Sequence, residues 1–171
     1  MPKAKNKTWF VPEGSQPTEL DLKVLEYQEK GFVVPSRQLI KTPEQIEGIR
    51  RAGVINTGAL DLVAKSIKED MSTAEIDRLV AEYIADNGAI AACLGYEGFP
   101  KSCCTSINEV VCHGIPSDEE LLWDGDIINV DVTTIKDGYY ADASRMFILG
   151  KTTPEKERLV RVAKECLEIG A

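Results

Sequence analysis

The stretch INVDVTTIKDGYYADASRMFILG, residues 128–150, decides the fold of this chain. Two runs rich in β-branched and aromatic residues flank the pair Asp137-Gly138. An Asp-Gly pair between such runs is a strong signal for a two-residue hairpin loop, because both central positions of a type I′ turn need a positive φ. The pattern therefore predicts an antiparallel hairpin in which Lys136 pairs with Tyr139.

Each predicted strand carries an acid in mid-run, Asp131 and Asp142. In the predicted register Asp142 lies opposite Thr133, and Asp131 is two residues further along the same face. Such a diagonal pair has Cβ atoms roughly 7–8 Å apart or a little less. The carboxylates could then converge on one cation, or on two cations about 3.5–4 Å apart; without a cation they would repel, and one would take up a proton. The alternative is a solvated face, which antiparallel sheets often have.

Composition excludes several classes of protein. The chain has 171 residues, 43% of them hydrophobic, a net charge of −8 and a pI of about 4.8. This size suits one domain with or without an extension, and the acidic balance argues against a nucleic-acid partner. The basic start has no apolar run after it, and no run of 18 apolar residues occurs, so neither export nor membrane insertion is expected. Five cysteines without a CxxC motif indicate reduced thiols and a cytoplasmic location.

The helix signals divide the chain into segments. We predict an N-terminal extension over residues 1–40, with a short helix in LDLKVLEYQEKG, and a main segment over residues 41–151 with helices in its first half. Residues 152–171 form a further amphipathic helix. The predicted buried face of the first long helix consists of Ile46, Ile49, Gly53, Leu60, Val63 and Ile67.

Two longer motifs carry a resemblance. They are ACLGYEGFPKSCCTSINEVVCHGIP, residues 92–116, and DGDIINVDVTTIKDGYYADASRMF, residues 124–147. Over about residues 35–151 the chain resembles the first half of a type I methionine aminopeptidase, a metallopeptidase with the pita-bread fold. The resemblance implies an α/β fold of the α+β type, in which two helices pack on an antiparallel sheet. It also implies that residues 152–171 are the first helix of a second half.

The resemblance assigns chemistry to the two acids. It implies two divalent metal ions (Co, Mn, Fe or Zn) held by two Asp, one His and two Glu, with Asp131 and Asp142 as the two Asp ligands. The other ligands belong to the second half, so the 171-residue chain is expected to be inactive alone. The single histidine, His113, corresponds to a residue that hydrogen-bonds the scissile amide; an ordinary loop histidine is the alternative. The backbone carbonyls of Asn108 and Val110 correspond to donors to a monovalent cation.

The resemblance also implies a substrate pocket. Cys93, Tyr96, Phe99 and Cys104 correspond to the walls that hold the methionine side chain, and soft, aromatic walls suit a thioether. Taken singly, Cys93 would read as a core residue. Glu97 departs from the family pattern, since many bacterial relatives have a histidine there; the departure concerns contacts with residues after the methionine.

The implied activity is removal of the initiator methionine from nascent polypeptides that begin with Met and a small residue. The ribosome is a possible partner, while no direct nucleic-acid or membrane partner is expected. Two alternatives remain open at this point. One is an enzyme resembling Xaa-Pro aminopeptidases, and the other is a non-catalytic binding module of the same fold.

Overall fold

The computed structural model describes residues 9–171. Within that range the elements are α1 (Glu19–Glu29), α2 (Pro43–Ser66), α3 (Thr73–Asp86), β1 (Ile90–Ala91), β2 (Cys104–Ile107), β3 (Ile127–Lys136), β4 (Tyr139–Ile148) and α4 (Pro154–Gly170), with 3-10 turns at Arg37–Leu39 and Tyr96–Gly98. None of the helices in residues 9–171 is both long enough and apolar enough to cross a membrane.

The chain forms two compact units, the first ending at Glu44 and the second beginning at Gln45. The first unit contains the predicted short helix, α1. Its Asp21 is buried and accepts a hydrogen bond from Trp9 Nε1 at 3.0 Å. Arg37 forms an ion pair with the same carboxylate and lies 5.5 Å from the centre of the Trp9 ring. The segment boundaries at residues 40 and 151 stay predictions.

The β3–β4 hairpin has the predicted register. Lys136 pairs with Tyr139, and Thr133 pairs with Asp142. The loop residues Asp137 and Gly138 have φ values of 51° and 80°. Both central residues therefore adopt the positive φ that a type I′ turn requires, and the sequence-based prediction is confirmed.

The other edge of β3 pairs with two strands. β1 pairs with its C-terminal part, and β2 pairs with its N-terminal part, both antiparallel. In this register Cys104 lies directly opposite Asp131. Residues directly opposite one another in an antiparallel pair point to the same face of the sheet, so Cys104 and Asp131 share a face.

The opposite face of the sheet is covered by α2 and α3, as predicted. The core cluster combines apolar side chains of both helices with alternate residues of β3. Its fully buried members include Leu60, Val63, Ile76, Val80, Ile84, Ile128, Val130 and Val132. The alternation in β3 leaves Asp131 on the face that the two helices do not cover.

The predicted buried face of α2 is partly wrong. Leu60 and Val63 are buried, but Ile46 is 46% exposed. Small residues form the inner face of the first half of the helix, because α2 approaches the hairpin closely: a Cβ on Gly48 would lie 2.4 Å from Tyr139 Cδ2. Apolar periodicity does not detect a face made of glycine and alanine, and it also missed the buried Asn56.

The final helix, α4, begins after Thr153, whose side chain caps it by accepting a hydrogen bond from the backbone N–H of Lys156. Lys156 Nζ donates to Asn108 Oδ1 at 2.8 Å and to the Gly125 carbonyl at 2.9 Å, which ties the first turn of α4 to two loops. Further along, Leu159 and Ile169 are exposed.

Candidate active site

Asp131 and Asp142 lie on one face of the hairpin, as the register dictates. Asp131 is partly buried and Asp142 is exposed. Thr133 Oγ1 donates a hydrogen bond to Asp142 Oδ1 at 2.7 Å, which orients that carboxylate. Burial raises the pKa of Asp131, and the neighbouring charge of Asp142 raises it further, while His113 and the backbone N–H of Val132 act in the opposite direction. The two acids are therefore close enough to repel, as converging carboxylates do.

A pocket of about 430 Å³ lies in the same part of the second unit. All four predicted pocket residues and the single histidine line it, together with four residues from the same motif. The lining is Cys93, Tyr96, Glu97, Gly98, Phe99, Pro100, Cys104, His113 and Ile115. Sequence reasoning did not assign Gly98, Pro100 or Ile115 to the pocket. Their position between assigned residues of the motif was the available signal.

The pocket and the carboxylate pair meet at Cys104. This residue lines the pocket and lies opposite Asp131 on the neighbouring strand. Burial raises the pKa of the Cys104 thiol to about 12, with further contributions from Cys93 and Asp131. At neutral pH the Cys104 side chain is therefore a neutral, polarisable wall rather than a thiolate.

The adjacent Cys103 has a different role. It is fully buried, and its backbone N–H donates to Asp77 Oδ1 at 3.2 Å, beside a donation from the Ser102 N–H at 2.7 Å. Burial, reinforced by Asp77, raises the pKa of the Cys103 thiol. Asp77 of α3 thus anchors the start of β2 from the core side, where Cys103 fills space.

The loop that carries His113 is held against β2. Gly114, the residue after His113, donates its N–H to Ser106 Oγ at 3.2 Å. The Gly114 carbonyl accepts a hydrogen bond from the Thr105 N–H at 3.0 Å. A Cβ at residue 114 would lie 1.9 Å from the Thr105 carbonyl oxygen, so only glycine fits there. His113 itself has a φ of 57°, an uncommon conformation for a non-glycine residue. These contacts fix the position of the imidazole at the pocket.

A tight turn presents the aromatic walls of the pocket. The Gly95 N–H donates to the Phe99 carbonyl at 2.8 Å, and the Phe99 N–H donates to the Tyr96 carbonyl at 2.8 Å. Gly95, Glu97 and Gly98 have φ values of 83°, 48° and 86°. Two glycines thus let the chain turn sharply enough to place both rings at one cavity, with Glu97 between them.

The segment predicted to bind a monovalent cation forms a hydrogen-bonded hub. Asn108 has a φ of 51°, and its N–H donates to the Ile127 carbonyl at 2.9 Å. The Val110 N–H donates to the Ile107 carbonyl at 3.0 Å. A cation at the carbonyls of Asn108 and Val110 stays a prediction.

The donor set fits part of a divalent-metal centre. Carboxylate oxygens suit divalent ions such as Mn²⁺, and a nearby cation would relieve the repulsion between Asp131 and Asp142. Within residues 9–171, however, no group of three or more His, Cys, Asp or Glu residues is arranged to hold a metal ion. Among the described residues, these two carboxylates are therefore suited to hold a metal ion but do not make up a complete ligand set.

Comparisons with known proteins agree with this geometry. The chain is 54% identical over 129 residues to the methionine aminopeptidase of Escherichia coli K12, a match that covers 75% of this chain and 49% of that protein. The crystal structure of methionine aminopeptidase from Rickettsia prowazekii superposes with a TM-score of 0.72 at 43% identity, over 74% of this chain and 50% of that chain. The crystal structure of methionine aminopeptidase from Thermotoga maritima superposes with a TM-score of 0.74 at 38% identity, over 75% of this chain and 52% of that chain.

The fold is thus the first half of a pita-bread fold, as expected from the motifs. The chain spans about half the length of the curated relatives that it matches. A family model for metallopeptidase family M24 matches residues 47–171, which include the acids, the histidine and the pocket. On this evidence the chain belongs to metallopeptidase family M24.

Proposed function

We propose that this chain is the first half of a metal-dependent methionine aminopeptidase, which removes the initiator methionine from nascent polypeptides. One observation carries the proposal. Cys104, a wall of the pocket, lies opposite Asp131 in the sheet, so a side chain held in the pocket would have its backbone beside the carboxylate pair. The names of the relatives at 54% and 43% identity support the same activity.

The pocket would hold the methionine side chain. Tyr96 and Phe99 offer aromatic surface, and the thiols of Cys93 and Cys104 offer polarisable sulfur to a thioether. The neutral Cys104 thiol avoids placing a charge against an apolar side chain. A γ-branched leucine fits a slot of this kind less well than an unbranched methionine, and such differences in shape are worth roughly 10–200-fold in specificity.

Asp131 and Asp142 would hold the metal ions, and Thr133 would keep the Asp142 carboxylate in its binding orientation through the 2.7 Å hydrogen bond. When bound, divalent ions supply Lewis acidity, which polarises a carbonyl and lowers the pKa of water. His113 lines the pocket and lies close enough to Asp131 to affect its pKa. From there it would donate a hydrogen bond to the scissile amide.

The metal would be Co, Mn, Fe or Zn, and the remaining ligands would come from a second half that begins near residue 152. Substrates would be nascent chains that begin with Met and a small residue, encountered in the cytoplasm, with the ribosome as a further partner. A monovalent cation at Asn108 and Val110 would stiffen the segment before His113. Along the sequence, the N-terminal extension over residues 1–40 would precede this catalytic segment.

Reconstitution tests the proposal. The chain would be mixed with a polypeptide that covers the unmatched second half of the E. coli relative, and hydrolysis of Met-Ala-Ser and Leu-Ala-Ser peptides would be followed with Mn²⁺ or Co²⁺. We expect Met-Ala-Ser to be hydrolysed roughly 10–200-fold better. In the same mixture, His113→Ala should lower turnover by roughly 10²–10³, the usual effect of removing one donor to a developing oxyanion.

A preference for peptides with proline in the second position would favour the Xaa-Pro alternative. An unchanged turnover of the His113→Ala variant would contradict the role given to that histidine. Tyr140→Phe, on the same sheet face but outside the pocket lining, is the matched control and should leave the preference for methionine unchanged.

A further inference from the structure

Asn56 is a polar residue on the buried face of α2. It is 1% exposed, and its side-chain nitrogen donates to the Val132 carbonyl at 2.6 Å, to the Ala141 carbonyl at 3.2 Å and to Thr134 Oγ1 at 3.3 Å. A buried amide is costly unless it is hydrogen-bonded. All of its hydrogen bonds here go to the β3–β4 hairpin, so the amide links α2 to both strands.

These contacts fall between the two acids of the candidate metal centre. Val132 follows Asp131 on β3, and Ala141 precedes Asp142 on β4. Successive residues of a strand point to opposite faces, so Asn56 contacts the backbone from the core side while both carboxylates point away from it. One amide thus joins the two strands at the place where the carboxylates are mounted.

Two further observations indicate that packing alone does not explain Asn56. First, its Oδ1 is buried and accepts no hydrogen bond within the described part of the chain. Leucine, of similar size, would leave no unpaired oxygen in this place. Second, the amide bonds to the two strands that carry Asp131 and Asp142, at residues adjacent to both acids. A link at that place fixes the spacing of the two strands behind the carboxylates.

We propose that Asn56 is a positioning residue for the carboxylate pair, because its amide holds the β3 and β4 backbones together directly behind Asp131 and Asp142. The inference rests on the proposed function only in so far as the carboxylate pair binds metal. Asn56 touches neither substrate nor metal; it acts through the backbone of Val132 and Ala141.

Amide hydrogen exchange of the 171-residue chain tests the link without metal. In the Asn56→Leu variant we expect the amides of Thr134 and Ala143 to exchange at least about tenfold faster, with the urea midpoint of unfolding little changed, because local opening is then separated from global unfolding. Val63→Ala is the matched control, because Val63 lies on the same helix and is also 1% exposed. It should lower the urea midpoint without accelerating exchange at these two amides more than at others. Asn56→Ala, which adds no bulk, serves if leucine does not fit.

Unchanged exchange at Thr134 and Ala143 in both Asn56 variants would overturn the proposal. A uniform acceleration across the sheet, as expected for Val63→Ala, would also overturn it, because Asn56 would then be a stability residue only.

A second measurement separates this inference from the proposed function. Mn²⁺ is added to the ¹⁵N-labelled chain, and paramagnetic broadening of the Asp131 and Asp142 amides is followed. We expect Asn56→Leu to need at least about threefold more Mn²⁺ for equal broadening. An equal response in variant and wild type would overturn the positioning role. Broadening that is absent at both acids in the wild type would count against the metal centre, while the exchange result would still decide whether Asn56 holds the strands.

Discussion

Cys104 lies directly opposite Asp131 on neighbouring antiparallel strands, and this pairing joins the pocket to the carboxylate pair. Asp131 takes part in two relationships at once. Through β4 it shares a face with Asp142, and through β2 it shares a face with Cys104. Under the proposed function, a side chain in the pocket and a metal ion at the acids would therefore lie within one site.

Metal affinity should depend on ligands that residues 9–171 do not provide. We expect Mn²⁺ to bind the 171-residue chain weakly, since two carboxylates lack the charge and preorganisation of a full ligand set. Isothermal titration calorimetry, with and without the added second-half polypeptide, measures the difference. Asp142→Asn is the control and should abolish the gain. Tight binding of two ions to the chain alone would contradict the expectation.

The stability of the chain should carry a signature of the raised pKa of Asp131. The folded state holds the proton of the Asp131 carboxyl more tightly than the unfolded state does, because the pKa of this carboxyl is near 3.8 in the unfolded state and higher in the folded state. The contribution of Asp131 to the free energy of unfolding is therefore largest in acid and declines as pH rises through the folded pKa. Burial is the first cause of the raised pKa of Asp131, and the charge of Asp142 is the second. Asp142→Asn removes the second cause, so the decline in stability with rising pH should be smaller. Urea unfolding from about pH 4 to pH 7 measures it.

Asp137→Asn is the matched control for that experiment. It removes an exposed acid but keeps an Asn-Gly pair, which suits the type I′ turn equally well. If both variants gave the same pH dependence as the wild-type chain, repulsion between Asp131 and Asp142 would not contribute to stability.

Gly114 should tolerate no side chain. Gly114→Ala would place a Cβ 1.9 Å from the Thr105 carbonyl oxygen, and the loop that carries His113 would have to move. We expect a loss of roughly 1–3 kcal/mol in the free energy of unfolding, the usual range for overpacking. Gly53→Ala is the control: its Cβ would meet nothing within 4 Å, and alanine inside a helix should stabilise by roughly 0.5–1 kcal/mol. Chemical denaturation compares the two, and an unaffected Gly114→Ala chain would contradict the close contact.

Thiol reactivity should distinguish Cys104 from the exposed cysteines. Because the pKa of Cys104 is raised to about 12, its thiol is protonated at neutral pH and should react slowly with a disulfide reagent. Cys112 and Cys166 are exposed and should react first. Mass spectrometry of partly labelled chain identifies the order, and labelling in urea should remove the difference. Fast labelling of Cys104 in the folded chain would contradict the raised pKa of its thiol.

The sequence by itself determined the hairpin and the placement of two acids on one face of it. The Asp137-Gly138 turn requires positive φ at two adjacent positions, and this local constraint sets the register that places Asp131 and Asp142 on one face. The caps at Ser72 and Thr153 are local in the same sense, since a side chain satisfies N–H groups within three residues of itself. Such features depend on neighbouring residues and can be predicted from them.

Only the tertiary structure decided how these parts meet. The pairing of Cys104 with Asp131, the closure of the Gly114 loop on Thr105 and the contact of Asn56 with the hairpin join residues that are distant in the chain. No turn or periodic pattern encodes them, because each depends on how far α2 and β2 can approach β3. Small residues permit that approach. From the sequence pattern alone, Asn56 would be placed on the exposed face of a helix, and only the packing of the sheet against α2 shows that it is buried. Packing therefore converts two acids on a predicted hairpin into part of a site.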